Sequence, residues 1–482
     1  MKWLIKLTML RYIFVYMLGG FVRLFHATKG WIAVRFHPVH RRWQQMPKFR
    51  KHFISNFVVG VAIAVGLHVA HHTHWISQAE NWAMDSMMFI NQNTPRMAQI
   101  PNKSRPLEFT FLDIDEDTYR TWEEPFHIPR DKLEHLISYA AKGGAQAIVL
   151  DVELAKPSAN DTSLITFLQQ YKAEYPPLFL LRGFYPESKF TGQKDYYFRS
   201  SFLDSHELGK NIHWVQPLFR ASASDQVVRY WHLVAIGCLD GLPAIAPAFQ
   251  LLIDVYLSAP EEFKQVIAQL EKQLPDSCDA IEETEQHLKG ELYYADKRIK
   301  LDANEHQRIG ERIIYTLPWQ KTTTDEFWQR PVYKITEATR IPSNDLVQNR
   351  IVIIGASYSD SRDLYQTPLG EMPGAMIILN AIKSLHLYGQ IAPPHSVIKW
   401  VLELGLIILM SWAFARYNSM KGTLVTGTVI IIILLPLSFY FFKYGLWIDF
   451  AVPLLGMQFH QFIAQYEENI AIRNRLNNSG KH

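Results

Sequence analysis

Aspartates at the ends of apolar runs are the side chains best placed to do chemistry in this sequence. Asp113 and Asp115 sit at the end of the alternating run LEFTFLDI, residues 107–114. Paired carboxylates at a strand end bind Mg²⁺, or serve as nucleophile and acid in phosphoryl transfer. Glu116 and Asp117, directly behind, are a poor setting for such a nucleophile. Asp151 closes a second apolar run, and Asp161 and Asp363 fall at loop ends. An acidic cleft that takes a ligand or a divalent cation is therefore one expectation. Arg130 can join it as a binding group or neutralise it as a structural salt bridge. The candidate ligand-binding set is Asp113, Asp115, Arg130, Asp151, Asp161 and Asp363, with no catalytic residue, resident metal or other cofactor assigned. The sequence carries no phosphate-binding glycine loop, no GxSxG and no HExxH, which lowers the enzyme reading further.

The elements that must position these groups alternate. The run 107–114 reads as a strand, Pro129 and Arg130 open a helix that ends at Gly143 and Gly144, and AQAIVLDV follows as a buried strand. This is a β-α-β unit, whose two strands lie parallel in one sheet. Strand ends of such a sheet face the ligand crevice. A helix over 161–171 and a strand over 177–184 come next. Further strands are expected at Ile212–Leu218, Val227–Ile236 and Arg312–Leu317, helices at Ala246–Leu257 and Glu261–Leu274, and a hairpin at Tyr293–Leu301. Near the end, RIVIIG reads as a strand stopping at Gly355, a polar loop carries Asp363, and an amphipathic helix runs from Gly374 to Leu387. The fold class expected is an α/β domain with a mixed sheet, over 76–395.

That domain is bracketed by apolar segments. Residues 53–70 are uncharged for 18 positions, and three more candidate spans lie at 397–415, 423–442 and 446–464. The segment 1–52 holds eleven Lys or Arg and no Asp or Glu, and reads as a basic cytoplasmic or interfacial leader without a cleavage site. Basic residues also mark the turn at Arg416 and Lys421 and the tail 465–482. The positive-inside rule then places both termini in the cytoplasm and 76–395 outside. From 53 to 395 there are 31 basic and 42 acidic residues, a net of −11. The overall charge of +3 is thus an average over two compartments and carries no argument for nucleic acid. Within the spans, Lys399 and Glu403 are four apart, and Asp449 enters the last one. Intramembrane ionisable groups are costly, so Glu403 and Asp449 are the candidates for signal coupling. Pro436 and Pro453 are expected kinks or breaks. His68, His71, His72 and His74 end the first span, as headgroup-level polar residues or as a metal group. The two cysteines, Cys238 and Cys278, both fall in the outer part, where a disulfide is open to them but is not fixed by spacing.

Three blocks, LDIDEDTYRTW with the PFHIPRDKLEHL to NDTSL stretch, DQVVRYWHL, and RIVIIGASYSDSRDLYQTPLGEMPGAMIILNAI, resemble the second class of CHASE domain, an extracytoplasmic sensory module of bacterial membrane receptors. The resemblance covers roughly 76–395 together with one span before and three after. The family's pattern falls on Asp113, Asp115, Pro129, Arg130, Asp151, Asp161, Gly355, Asp363, Pro368, Pro373 and Gly374. Phe126 and His127 stand where the family has an aromatic near the Pro-Arg pair. Such receptors continue into a cytoplasmic kinase or cyclase, whereas here some 18 residues follow the last span.

The resemblance implies a sensor or regulatory subunit of the bacterial inner membrane. It would bind an unknown small-molecule or envelope ligand outside. It would signal through its C-terminal helices to a separate cytoplasmic output protein, as a monomer or a homo-oligomer. An envelope structural or assembly protein is the alternative, and an extracytoplasmic metal-dependent hydrolase the third.

Overall fold

Six short runs, the central ones too hydrophobic to leave a face in water, pair into one sheet in the computed structural model. The structure describes residues 43, 45–70, 73–93, 107–158, 160–184, 197–283, 290–301, 309–319, 327–337, 344–442 and 444–479. The leader, His71, His72 and the proline linker at 95–106 lie outside them, as does most of the 1–52 segment. Two compact units are present. A sheet unit holds His74–His395 with Pro436–Asp449, and a helical unit holds Ser396–Leu435 with the residues up to Thr73 and from Phe450.

The helical unit begins with α1 (Lys48–Val69), and the sheet unit with α2 (His74–Asn93). There follow β1 (Phe109–Ile114), α3 (Glu116–Thr121), α4 (Arg130–Lys142), β2 (Ala147–Asp151), α5 (Asp161–Gln169), β3 (Leu178–Leu181) and β4 (Ile212–Val215). A middle section adds β5 (Phe219–Ala221), β6 (Val228–Trp231), β7 (Val234–Leu239), β8 (Leu242–Pro247), α6 (Phe249–Ser258), α7 (Phe263–Glu271), β9 (Glu291–Tyr294) and β10 (Lys297–Lys300). The last strands are β11 (Phe327–Pro331), β12 (Ile351–Ala356), β13 (Leu364–Thr367) and β14 (Gly370–Pro373), followed by α8 (Gly374–Tyr388).

The main sheet runs β11-β1-β12-β2-β3-β4, with every pair parallel. It is not mixed as expected. Sheets buried on both faces favour parallel strands joined by helices or long excursions, and the central strands β1, β12 and β2 are almost wholly buried. β1 and β2 are parallel as expected, but β12 lies between them. Leu112, Ile114, Ile148, Leu150, Val352 and Ile354 face one side, packed with Leu133, Leu136 and Ile137 of α4 and Leu164 and Leu168 of α5. Their alternates face the other side, where α8 lies against β12 and α6.

α8 is not amphipathic. Every residue from Gly374 to Leu385 is buried, so its polar side chains must find partners inside the protein. Asn380 Oδ1 accepts from the amides of Thr316 and Leu317, both at 2.8 Å, and its Nδ2 donates to the Leu317 carbonyl at 2.9 Å. Ser384 Oγ accepts from the Ile314 amide at 2.9 Å. These bonds explain why 312–317 is extended without being a strand: the side chains of α8 take the place of a ladder partner.

Other boundaries shift for local reasons. The expected strand 227–236 is two, β6 and β7, and β7 pairs antiparallel with β8, which takes residues read as the start of a helix. α6 begins after Pro247. The loop after β12 contains the hairpin β13–β14, and β12 continues through Gly355 to Ala356. Cys238 on β7 is joined to Cys278 in a disulfide with Cα atoms 5.8 Å apart.

The helical unit adds α9 (Ser396–Arg416), α10 (Ser419–Phe442, whose last residues fall in the sheet unit) and α11 (Ala451–Ser479). Among the described residues, α1, α9 and α10 are the three helices long and apolar enough to cross a membrane. Residues 447–450 are not helical, so α11 starts later than the expected fourth span, and Asp449 precedes it. Pro453 falls in the first turn of α11, where no intrahelical amide bond is lost, and it breaks nothing. α10 passes through a π turn at Ile430–Leu434, just before Pro436. Glu403 lies partly buried on α9 and forms no ion pair with Lys399. Gly60 lets α1 approach α9 closely, since a Cβ there would stand 3.0 Å from Ile407 Cγ2.

Candidate functional site

Strand register gathers the aspartates that matter. Asp113 of β1 and Asp151 of β2 are both in register with Gly355 of β12. In-register neighbours point to the same face, so the two carboxyls flank Gly355 on the side where α8 lies. Gly355 is required there. A Cβ would come 2.9 Å from Ala375 Cβ and 3.4 Å from Asp151 Cβ. Gly374, the first residue of α8, is equally confined: its Cβ would stand 2.7 Å from both carboxyl oxygens of Asp363. The two glycines let the first turn of α8 descend onto the strand end, with Asp151 below it and Asp363 beside it. A Gly355→Ala substitution is expected to cost roughly 1–3 kcal/mol from overpacking. Urea unfolding of the full chain measures it, and an unchanged midpoint would refute the close approach.

Asp363 is gripped by that turn. The Gly374 amide donates to its carbonyl at 3.0 Å and to its Oδ2 at 3.2 Å. Its own amide donates to Ser361 Oγ at 3.3 Å, and Arg362 before it is left-handed at φ 55°. The Asp151 Oδ2 is shut off from solvent and has no hydrogen-bond partner among the described residues. Burial pushes the Asp151 carboxyl well above the usual range, and Asp363 pushes it further. Burial also raises Asp363, to about 6, against the lowering effect of the Gly374 amide and the Tyr365 hydroxyl. Tyr365 is driven up to about 12 by burial and by both carboxyls. Among the described residues neither carboxyl forms an ion pair with Arg, Lys or His. Two poorly solvated carboxyls without a cation cannot both ionise cheaply, so the pair holds a proton or recruits a positive group.

Of the remaining candidates Asp113 stays beside Gly355 but is taken up by a neighbour, and the others are placed elsewhere. Asp113 is buried, and its Oδ2 accepts from Gln329 Nε2 of β11 at 2.7 Å. Asp115 caps α3, its Oδ1 accepting from Thr118 N at 2.9 Å and Thr118 Oγ1 at 2.7 Å. Arg130 and Asp161 form a buried pair at 3.3 Å between α4 and α5, on the opposite face of the sheet. Arg130 also donates to the Lys156 carbonyl at 3.3 Å and lies 5.5 Å over the Phe202 ring. Burial holds its guanidinium below its ordinary value against the pull of Asp161. The six expected residues are thus a carboxyl near Gln329, a cap, an ion pair, and the Asp151–Asp363 site. No group of three His, Cys, Asp or Glu side chains able to hold a metal converges among the described residues.

Two groups were not read from the sequence. Tyr365, two residues beyond Asp363 on a short strand, is one. The other is a buried network at the far end of α8, centred on Asp254 of α6. Asp254 has no solvent exposure. Its Oδ1 meets His386 Nδ1 at 2.8 Å and Lys297 Nζ at 2.6 Å, and its Oδ2 accepts from Tyr294 at 2.6 Å. Burial alone would push this carboxyl up, but His386 and Lys297 hold it below the usual range. A lone acid inside the apolar helix FQLLIDVYL was the available signal, because such a charge must be paired.

The CHASE2 domain family matches residues 58–417. This chain belongs to the CHASE2 domain family. CHASE2 is a sensory domain family, and the match runs beyond the sheet unit into α1 and through α9. No curated protein and no solved structure matches the chain. In this CHASE2 domain Gly355, Asp363 and Gly374 build the surroundings of Asp151.

Proposed function

We propose that this CHASE2 protein is an extracytoplasmic sensor or regulatory subunit of a bacterial inner membrane. It takes its signal at the C-terminal edge of the parallel sheet and passes it through α8 to the membrane helices. The observation that carries this reading is the placement of α8. Its first turn meets Asp151 and Asp363, its last turn carries His386 into the Asp254 network, and the chain enters α9 at Ser396. A helix buried on all sides cannot shift at one end without repacking the other. We assign the site binding and no chemistry.

The charge distribution and the Cys238–Cys278 disulfide support an outer location for the sheet unit. α11 provides a fourth crossing in this scheme. Its end presents Ile472 and Leu476, four apart and exposed, to a separate cytoplasmic output protein. Reporter fusions after His52, after Pro394 and at His482 are expected to read inside, outside and inside. An outward C-terminus removes any contact with a cytoplasmic partner and with it this function. Ligand identity is approached by thermal-shift screening of the full chain, where a genuine ligand stabilises the wild type but not Asp363→Asn.

A further inference from the structure

α2 hides one face and shows the other. Ile76, Ala83, Met84, Met87 and Met88 are buried. Beside them Asn81 accepts from the Tyr230 hydroxyl at 2.8 Å, and Asp85 receives Arg229 at 2.7 Å and Arg312 at 2.5 Å. The opposite face carries Trp82, 61% exposed, and Phe89, 60% exposed. A spacing of seven brings them within about 20° of each other around the helix. Ile90 borders them at 38% exposure, and Gln78 and Ser86, about one turn before and after Trp82, add no charge.

What covers this stripe follows from where the helix begins. α1 ends at Val69 and is long and apolar enough to cross a membrane, and α2 begins at His74. The four residues between them span at most about 14 Å. The connection also turns, since the Ala70 carbonyl accepts from the Thr73 amide at 2.8 Å and from its hydroxyl at 2.5 Å. The stripe is therefore tethered at a bilayer surface, where Trp side chains are enriched. α2 cannot cross in its turn, because it carries Glu80 and Asp85 among many polar residues. A second copy is a poorer occupant. Aromatic side chains bury about 150–250 Å² each, so the stripe offers roughly 250–350 Å² against the ~800 Å² per partner of a stable dimer.

We propose that α2 lies flat on the bilayer that α1 crosses, with Trp82, Phe89 and Ile90 set into the lipid interface. An interfacial helix ordinarily keeps its polar side in water. Here the rest of the sheet unit takes that side and satisfies Asp85. The lipid surface is thus a partner of the sheet unit itself. This placement requires α1 to span and makes no use of the Asp151–Asp363 site.

Power-saturation EPR of the full chain in nanodiscs of phosphatidylethanolamine and phosphatidylglycerol tests it. Spin labels are placed one at a time at Gln78→Cys, Ser86→Cys and, within α1, Val61→Cys. The native cysteines are joined and do not take the label. Labels at 78 and 86 are expected at one depth, about 5–10 Å into the boundary between headgroups and acyl chains. An upright α2 would set them about 12 Å apart in depth and overturns the proposal. So do labels at 78 and 86 as open to an aqueous nickel chelate as one at Phe126→Cys, where the native side chain is 93% exposed. Dipolar coupling between copies at Ser86→Cys, with neither oxygen nor chelate reaching the label, overturns it in favour of a second copy. Trp82→Glu combined with Phe89→Glu is expected to lift both labels into water while exchange of β1 and β12 stays unchanged, and unmoved labels refute the anchor. If that variant folds poorly, the depths in the otherwise unaltered chain decide alone. A label at 61 outside the acyl region removes the membrane reading as well. A deep label at 61 beside wet labels at 78 and 86 refutes the α2 surface alone.

Discussion

Replacing Asp254 by alanine is expected to remove roughly 3–5 kcal/mol of stability, because it leaves buried charge without its counterpart. Lys297 reaches this carboxylate with both oxygens within 2.7 Å, and His386 and Tyr294 use the remaining lone pairs. With the carboxylate gone, a mostly buried ammonium has no acidic partner and the phenol of Tyr294 loses its acceptor. Lys297→Met is the informative comparison. It removes the cation but leaves the bonds of His386 and Tyr294 to the carboxylate, so its cost is expected to be clearly smaller. Urea unfolding of the full chain at neutral pH gives both numbers. A loss below about 1 kcal/mol for Asp254→Ala would place this network among ordinary surface pairs and refute its role in fixing α8.

The two ends of α8 depend on acid with opposite signs. Asp254 is held below its unfolded value, so it contributes stability above the unfolded pKa that is lost as pH falls through the folded one. Asp363 is raised, so its contribution is complete below the unfolded value and is lost as pH rises through about 6. Acidification therefore relieves the buried Asp363 carboxyl before it weakens the Asp254 network.

Much of this was legible in residue patterns, and the remainder was hidden for definable reasons. The β1-α4-β2 unit followed from period and punctuation, since Gly143 and Gly144 end a helix and AQAIVLDV can only be buried. Sheet order was not legible, because the strand between β1 and β2 arrives some 200 residues later. The all-parallel character was hidden likewise, since β11 carries a proline and reads weakly. The segment 312–317 looked like a strand because local pattern reports burial and extension, and does not report whether Asn380 or a ladder supplies the bonds. At the site, carboxylates at strand ends were legible as a class. Which of them converge depended on register, and register places Asp113 and Asp151 beside a glycine while leaving Asp115 two residues further on, past the strand end, as a cap.

Asp85→Ala is the second large effect expected, and its partners set its size. Asp85 on α2 receives Arg229 through Nε at 3.0 Å and through a terminal nitrogen at 2.7 Å, and Arg312 at 2.5 Å. Both arginine side chains are 5% exposed or less. Arg229 keeps Asp225 after the substitution, at 2.8 Å, and so retains a counter-ion. Arg312 keeps only uncharged partners, the Oδ1 and carbonyl of Asn81 and the hydroxyl and ring of Tyr230. The cost is therefore dominated by one stranded guanidinium, about 2–4 kcal/mol, and falls below that of Asp254→Ala. Asp85→Asn preserves an acceptor without the charge and is expected to lie between wild type and alanine. Because α2 is bound to β6 and to the 312–317 segment through this cluster, the alanine variant is also expected to expose α2 to exchange before the main sheet opens. Hydrogen exchange over residues 76–93, read beside that of β1 and β12, measures the separation. Simultaneous opening of α2 and the sheet would mean that its apolar contacts, Met84, Met87 and Met88 above all, hold the helix without the arginine clamp.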